Sequence, residues 1–201
     1  MRKIFFIFAC LITSNSIGQN TVLEYYNSGT AKGLTEDYEA AIAAFTKALA
    51  IDPKFEDALY SRGICYFRKK NSKLAIADFT KLISINPSNA KAYNQRGLCK
   101  AQMGDNMGAI NDFNDALNIV PNEAQFFYNR GISKYNNGDY TGSIDDLTKA
   151  IEIDPDQGAF FYKRGVLNYI SGAKLAGCKD LNKSVELGYS EGYDIIKLYC
   201  R

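Results

Sequence analysis

The sequence predicts an all-helical array of five repeated helix-turn-helix units, closed by a short C-terminal helix. Three observations carry that prediction. Gly29, Gly63, Gly97, Gly131 and Gly165 recur every 34 residues, and all four prolines, Pro53, Pro87, Pro121 and Pro155, fall on the same period. Between them, apolar residues repeat at helical spacing, as in Ala109, Ile110, Phe113, Ala116 and Leu117, which places them in one stripe along a helix. Self-similarity at this length marks an architecture in which each short unit buries its apolar face against a neighbour.

Residues 1–18 read as a secretory signal, because Arg2 and Lys3 precede the apolar run 4–12, and Ser16 and Gly18 stand at small-residue positions before a cut at Gln19. The run is too short to span a bilayer, and the polar stretch 13–15 that follows it argues against an uncleaved anchor. Lipid attachment at Cys10 is disfavoured, since the apolar stretch ahead of it is very short. The repeats then run 22–55, 56–89, 90–123, 124–157 and 158–191 without an insertion, taking each proline as repeat position 32. Within a unit the first helix runs to about position 14. The break after it is plainest at Gly104-Asp105 and Gly138-Asp139, where glycine closes one helix and aspartate caps the next. Ala41, Ile42, Phe45, Ala48 and Leu49 repeat the second-helix stripe in the first unit. The fifth unit departs at Gly177, Ser184 and Tyr189, and reads as a degenerate terminal repeat. In the segment 192–201, Tyr193, Ile195, Ile196 and Tyr199 predict a capping helix over the last face.

These residues resemble the tetratricopeptide repeat over 22–191. The third unit carries the pattern in Tyr93, Gly97, Ala109, Phe113, Ala116 and Pro121 at positions 4, 8, 20, 24, 27 and 32. The resemblance implies a right-handed superhelical solenoid whose concave groove is lined by first-helix positions 2, 5, 9, 12 and 13. Position 5 holds Tyr26, Tyr60, Asn94, Tyr128 and Tyr162; position 9 holds Thr30, Ile64, Leu98, Ile132 and Val166; position 12 holds Gly33, Phe67, Ala101, Tyr135 and Tyr169. Such an aromatic and aliphatic ladder suits an extended or helical peptide, although part of it is also expected to pack between adjacent first helices. The lysine and asparagine clamp with which chaperone-binding members hold a C-terminal carboxylate is lacking here, which disfavours that ligand.

Arg62, Arg96, Arg130 and Arg164 occupy position 7, and Asp78, Asp112, Asp146 and Asp180 occupy position 23 of the same units, whereas the first unit has Ser28 and Ala44. The charges are absent together, so a fork-shaped Arg–Asp pair bridging the two helices of a repeat is expected. Cys65 and Cys99 share position 10 on successive first helices, about 10 Å apart and beyond disulfide reach, and are expected as small buried residues. Cys178 and Cys200 are left either bridged or free, Cys178 standing where the other units carry isoleucine facing the next helix.

Removing the leader takes away Arg2 and Lys3 and leaves 22 basic residues against 22 acidic. Without a net positive field or a basic cluster, nucleic acid is not an expected partner. No histidine is present, which removes the commonest general base and nitrogen metal ligand. The expectation is an exported, periplasmic or secreted scaffold that binds a protein or peptide, with no catalytic centre, cofactor, metal, small-molecule substrate or membrane span after cleavage. Two alternatives stand beside it: a self-associating structural subunit, and a thiol-redox accessory protein, which requires an exposed, low-pKa Cys200.

Overall fold

The computed structural model describes residues 21–200; the signal segment 1–18 and Cys10 lie outside them. Eleven helices and no strand occur among the described residues. Helix α1 covers 21–34. It is followed by α2 (Tyr38–Ile51), α3 (Glu56–Arg68), α4 (Ser72–Ile85), α5 (Ala90–Gln102), α6 (Asn106–Ile119), α7 (Ala124–Asn136), α8 (Tyr140–Ile153), α9 (Gly158–Ile170), α10 (Lys174–Glu186) and α11 (Gly192–Tyr199). They form five successive pairs and a final short helix. The chain divides into two compact units between Cys99 and Lys100, inside α5.

Local chemistry sets the ends of these helices. Asp37, Asn71, Asp105 and Asp139 cap α2, α4, α6 and α8 by accepting from backbone N–H groups three residues on, which satisfies donors a helix start leaves orphaned. At the far ends, Asp52, Asn86, Val120 and Asp154 leave the helical region, with ψ between 86° and 94°. Each precedes a proline, whose ring disfavours helical geometry in the residue before it. The last long helix has no proline to stop it. Instead Gly188 takes φ +84° and the Tyr189 N–H donates to the Ser184 carbonyl, a left-handed glycine closure that satisfies the last carbonyls.

In the N-terminal unit, Val22 of α1 joins Ala41, Phe45, Ala48 and Leu49 of α2 and Ala58 and Leu59 of α3 in one buried cluster. Ala75 and Phe79 of α4 cluster with Cys99 of α5. In the C-terminal unit, successive helices from α6 to α11 pack in sequence, and Ala124, Ala150 and Phe160 form a buried cluster across α7, α8 and α9. Position 24 is the centre of each pair: Phe45, Phe79, Phe113, Leu147 and Leu181 are all buried. Burying side chains of this size contributes about 1.5–3 kcal/mol each, which no isolated pair of short helices supplies for itself.

Candidate functional site

The residues expected to line a groove separate into packed and open ones. Tyr26 meets the Phe45 and Phe55 rings at centroid distances of 5.7 and 5.1 Å, Tyr60 meets Phe79 at 5.8 Å and Tyr128 meets Phe160 at 4.9 Å. Tyr162 meets Tyr189 at 5.2 Å. These four position-5 tyrosines are half-buried, so much of their area already holds helices together. Burial pushes the Tyr60 hydroxyl above its ordinary pKa, against the opposing pull of a hydrogen bond with Gln95. Asn94, the fifth member of the row, is buried rather than open; an amide there serves the interior. Phe67, Ile64 and Tyr60 pack against the Ala75, Phe79 and Cys99 cluster. Tyr169 is drawn toward the C-terminal helix, its hydroxyl 3.5 Å from the Tyr199 carbonyl and its ring 5.8 Å from the Tyr199 ring. Leu98 and Ala101 are half-buried.

What remains open gathers in two clefts, one in each unit. In the N-terminal unit a cleft of about 340 Å³ is lined by Thr30, Gly33, Tyr60 and Ile64 together with Leu34, Tyr38, Phe45, Ser61, Cys65 and Arg68. Glycine at position 12 leaves its floor unfilled. In the C-terminal unit a cleft of about 180 Å³ brings together Ile132, Tyr135, Tyr162 and Val166 with Asn136, Lys163 and Leu167. Both have apolar walls with a few polar groups, the usual lining of a ligand site. A larger cleft, about 690 Å³, lies among α8, α9 and α10. Its Arg164 and Asp180 pair with each other and its Lys183 pairs with Glu186, while its Lys179 forms no ion pair among the described residues.

Arg62, Arg130 and Arg164 at position 7 each meet the position 23 aspartate of their own repeat. Arg62 donates from Nε and Nη2 to Asp78 at 2.8 and 2.7 Å. Arg130 does the same to Asp146 at 2.8 and 2.6 Å, and Arg164 to Asp180 at 2.8 Å for both. The remaining Nη1 reaches one helix further back in the chain: Arg62 to Thr46, Arg130 to Asn114 and Arg164 to Thr148. Arg96 likewise donates to Thr80. Each guanidinium therefore ties a repeat to its predecessor, and the first unit, with Ser28 and Ala44 at these positions, carries no such pair. The hydrogen bond to Asp78, outweighing burial, lifts the already high Arg62 pKa further. A second partner went unnoticed in the sequence: Lys100 pairs with Asp112 at 2.9 Å and Lys134 with Asp146 at 2.9 Å, while Asn168 donates to Asp180 at 3.3 Å. All three occupy position 11, whose irregular Tyr66, Lys100, Lys134, Asn168 series hides the shared role.

Cys65 and Cys99 are buried and lie outside any disulfide, and burial raises the Cys65 thiol pKa, away from a reactive thiolate. Cys178 and Cys200 are joined in a disulfide with Cα atoms 5.5 Å apart, so the exposed low-pKa thiol that a redox accessory role requires at Cys200 is instead half-buried and bonded. Among the described residues no three histidine, cysteine or carboxylate side chains are grouped to hold a metal, and no helix is long and apolar enough to cross a membrane.

Family models described as tetratricopeptide or TPR repeat match residues 35–70, 56–89, 79–111 and 124–157, together more than half of the chain. The chain belongs to the tetratricopeptide repeat family. Among solved structures, MamA residues 41-end from Desulfovibrio magneticus RS-1 superimposes with a TM-score of 0.78 at 18% identity, covering 85% of this chain and 97% of that one. The Pseudomonas aeruginosa protein pilF gives 0.75 at 18% identity, covering 84% and 77%. YrrB, described as a TPR protein with an unusual peptide-binding site, gives 0.71 at 20% identity, covering 93% and 96%. At these identities the likeness is one of fold. Comparison with curated protein sequences returns no match.

One further constellation of this tetratricopeptide repeat protein comes from its most irregular repeat. Tyr189, standing where the other units have proline, packs its ring 5.2 Å from that of Tyr162. Burial of the group, then the hydrogen bond and charge of Glu191, push the Tyr189 hydroxyl up to about 12. Burial first and Glu191 second also raise Tyr128.

Proposed function

We propose that this protein is an exported scaffold that binds a protein or peptide partner along the first-helix faces, without catalysis. The observation that carries this reading is the convergence of open groove positions on two clefts with apolar walls and sparse polar groups. The family's general use as an interaction scaffold supports it, as does the description of the YrrB structure as having a peptide-binding site. Function in such folds resides in the site rather than in the fold. The test is a crosslinking pull-down with residues 19–201, run beside a Tyr135→Ala, Val166→Ala variant whose circular dichroism matches the parent. Recovery of one partner by the parent alone supports the cleft, and equal recovery by both removes it. Arg130→Ala is the control: it lowers the melting temperature while the partner is still captured.

The export reading rests on the leader 1–18 and is supported by the Cys178–Cys200 bridge, since disulfides persist in oxidising compartments. Mass spectrometry of the protein from cell-envelope and culture fractions checks it: a mature chain starting at Gln19 is expected, and an intact Met1 in the cytosol overturns it.

A second reading, self-association, is favoured by α11, where Tyr193, Leu198 and Tyr199 are 63%, 68% and 58% exposed. Apolar side chains concentrated on one short terminal helix suit contact with another surface. Sedimentation across a concentration range, with Leu198→Glu as comparison, separates the two: mass that rises with concentration only in the parent supports self-association through the cap.

A further inference from the structure

The two clefts on the first-helix faces share an uneven charge. No aspartate or glutamate lines either of them, although the chain as a whole has 22 acidic residues. Each carries one cation. In the C-terminal cleft it is Lys163, whose Nζ stands 5.3 Å from the centroid of the Tyr162 ring. In the N-terminal cleft it is Arg68, the last residue of α3. Arg68 is exposed and forms no ion pair among the described residues, whereas Lys69 beside it is taken up by Glu39. The same cleft is lined by Leu34, 82% exposed, and by the half-buried Ile64 and Tyr60. Leu34 and Arg68 both hold repeat position 13, which continues as Gln102, Asn136 and Ile170, so a cation enters that row once.

We propose that the N-terminal cleft takes an acidic, aliphatic peptide segment, with an internal glutamate or aspartate side chain on Arg68 and a neighbouring aliphatic side chain against Leu34 and Ile64. This rests on the groove reading above and adds the charge of the partner. An apolar wall attracts any apolar side chain, so burial supplies affinity without choosing among sequences. Choice comes from the charge. A guanidinium offers a planar fork that a carboxylate matches with two hydrogen bonds, and a cleft with no acid of its own leaves that field uncancelled. A peptide cation in the same place meets like charge with nothing to offset it, which turns the cleft against basic segments. An exposed pair is modest in strength, so the effect is one of selection between peptides of similar shape. Arg68 also suits the C-terminal end of α3, where a cation complements the helix dipole, and the two roles differ in what they predict.

The test uses the mature chain 19–201 with ¹³C-methyl isoleucine, titrated by NMR with acetyl-Leu-Glu-Leu-Leu-amide and with the same peptide carrying glutamine or lysine in place of glutamate. Both peptide ends are capped, so no terminal carboxylate takes part, and Ile64→Val assigns the Ile64 methyl resonance. The expected result is a saturable shift at Ile64, with the glutamate peptide bound about fivefold more tightly than the glutamine peptide and the lysine peptide weakest. Arg68→Gln removes the margin between glutamate and glutamine while still binding the glutamine peptide as the parent does, and Arg68→Lys keeps most of the margin. Equal affinity of the parent for glutamate and glutamine overturns the charge selection and leaves the apolar cleft in place. A margin that survives in Arg68→Gln also overturns it, whether or not the melting temperature falls, by reducing Arg68 to a helix-end charge. Loss of the glutamine peptide in Arg68→Gln overturns it by making Arg68 a shaper of the cleft. Shifts at Ile132 without Ile64 place the peptide elsewhere and overturn it as well, and no saturable shift with any peptide counts against both the acidic partner and the cleft.

Discussion

The two compact units are built on one 34-residue template, yet they solve the same local problems differently. Between the first and second helix of each repeat the chain passes through a left-handed conformation. In the N-terminal unit the residues there are Glu36 and Lys70, at φ +61° and +59°; in the C-terminal unit they are Gly104, Gly138 and Gly172. Side-chain residues are strained in that region and glycine is not. The C-terminal unit also carries more cross-links, with a cation or amide at position 11 added to each Arg–Asp pair and a disulfide tying α11 to α10. The N-terminal unit instead has two buried cysteines, Cys65 and Cys99, outside any disulfide. Regular spacing therefore conceals unequal local stability, with the C-terminal unit the more firmly held.

The largest effect that tests this difference is expected from Asp146→Ala, which leaves Arg130 and Lys134 without their shared carboxylate. Orphaning partly buried cations costs about 3 kcal/mol, read as the change in unfolding free energy by urea titration. Asp78→Ala is expected to cost less, because one cation rather than two loses its partner. Equal losses in the two would remove the claim that position 11 reinforces the C-terminal unit. Next comes Cys200→Ser. In the chain-entropy model the 22-residue separation is worth about 3 kcal/mol, but only to the attachment of α11. Hydrogen exchange should therefore quicken in residues 192–199 and stay unchanged in α7 and α8, and a uniform change across the unit would contradict that.

Gly177→Ala is expected to cost about 2 kcal/mol. A methyl group there would stand 2.7 Å from the Gly165 carbonyl oxygen and the Tyr169 amide nitrogen, backbone atoms that move only if α9 and α10 separate. Gly29→Ala, whose methyl would meet the Phe45 ring at 2.7 Å, should cost less, because the obstacle is a side chain rather than backbone. A reversed order in thermal unfolding would show that the glycine pair at α9–α10 is not a rigid contact. The smallest effect runs the other way: Lys70→Gly should stabilise the N-terminal unit by under about 1 kcal/mol, as relief of left-handed strain exceeds the added unfolded-state entropy. A loss of stability would mean that Lys70 adopts its conformation without strain.

Much of this was legible in the primary structure because a period is a strong signal. The glycine and proline spacing, with the second-helix stripe, located the helix pairs, and the joint absence of charge at Ser28 and Ala44 pointed to Arg–Asp partners. These inferences need only one-dimensional regularity, since in a repeat array each unit meets its own neighbours in the same way. The tertiary structure decided what depends on distances between side chains of different units. It showed Asn94 buried and the position-5 tyrosines committed partly to packing, because a ring on a first helix faces the next helix as much as the solvent. It also made Gly177 a close backbone contact and brought the Tyr189 ring to 5.2 Å from that of Tyr162. Periodicity determines where a residue stands on its helix; which neighbours fill the space beside it is settled only when the helices pack.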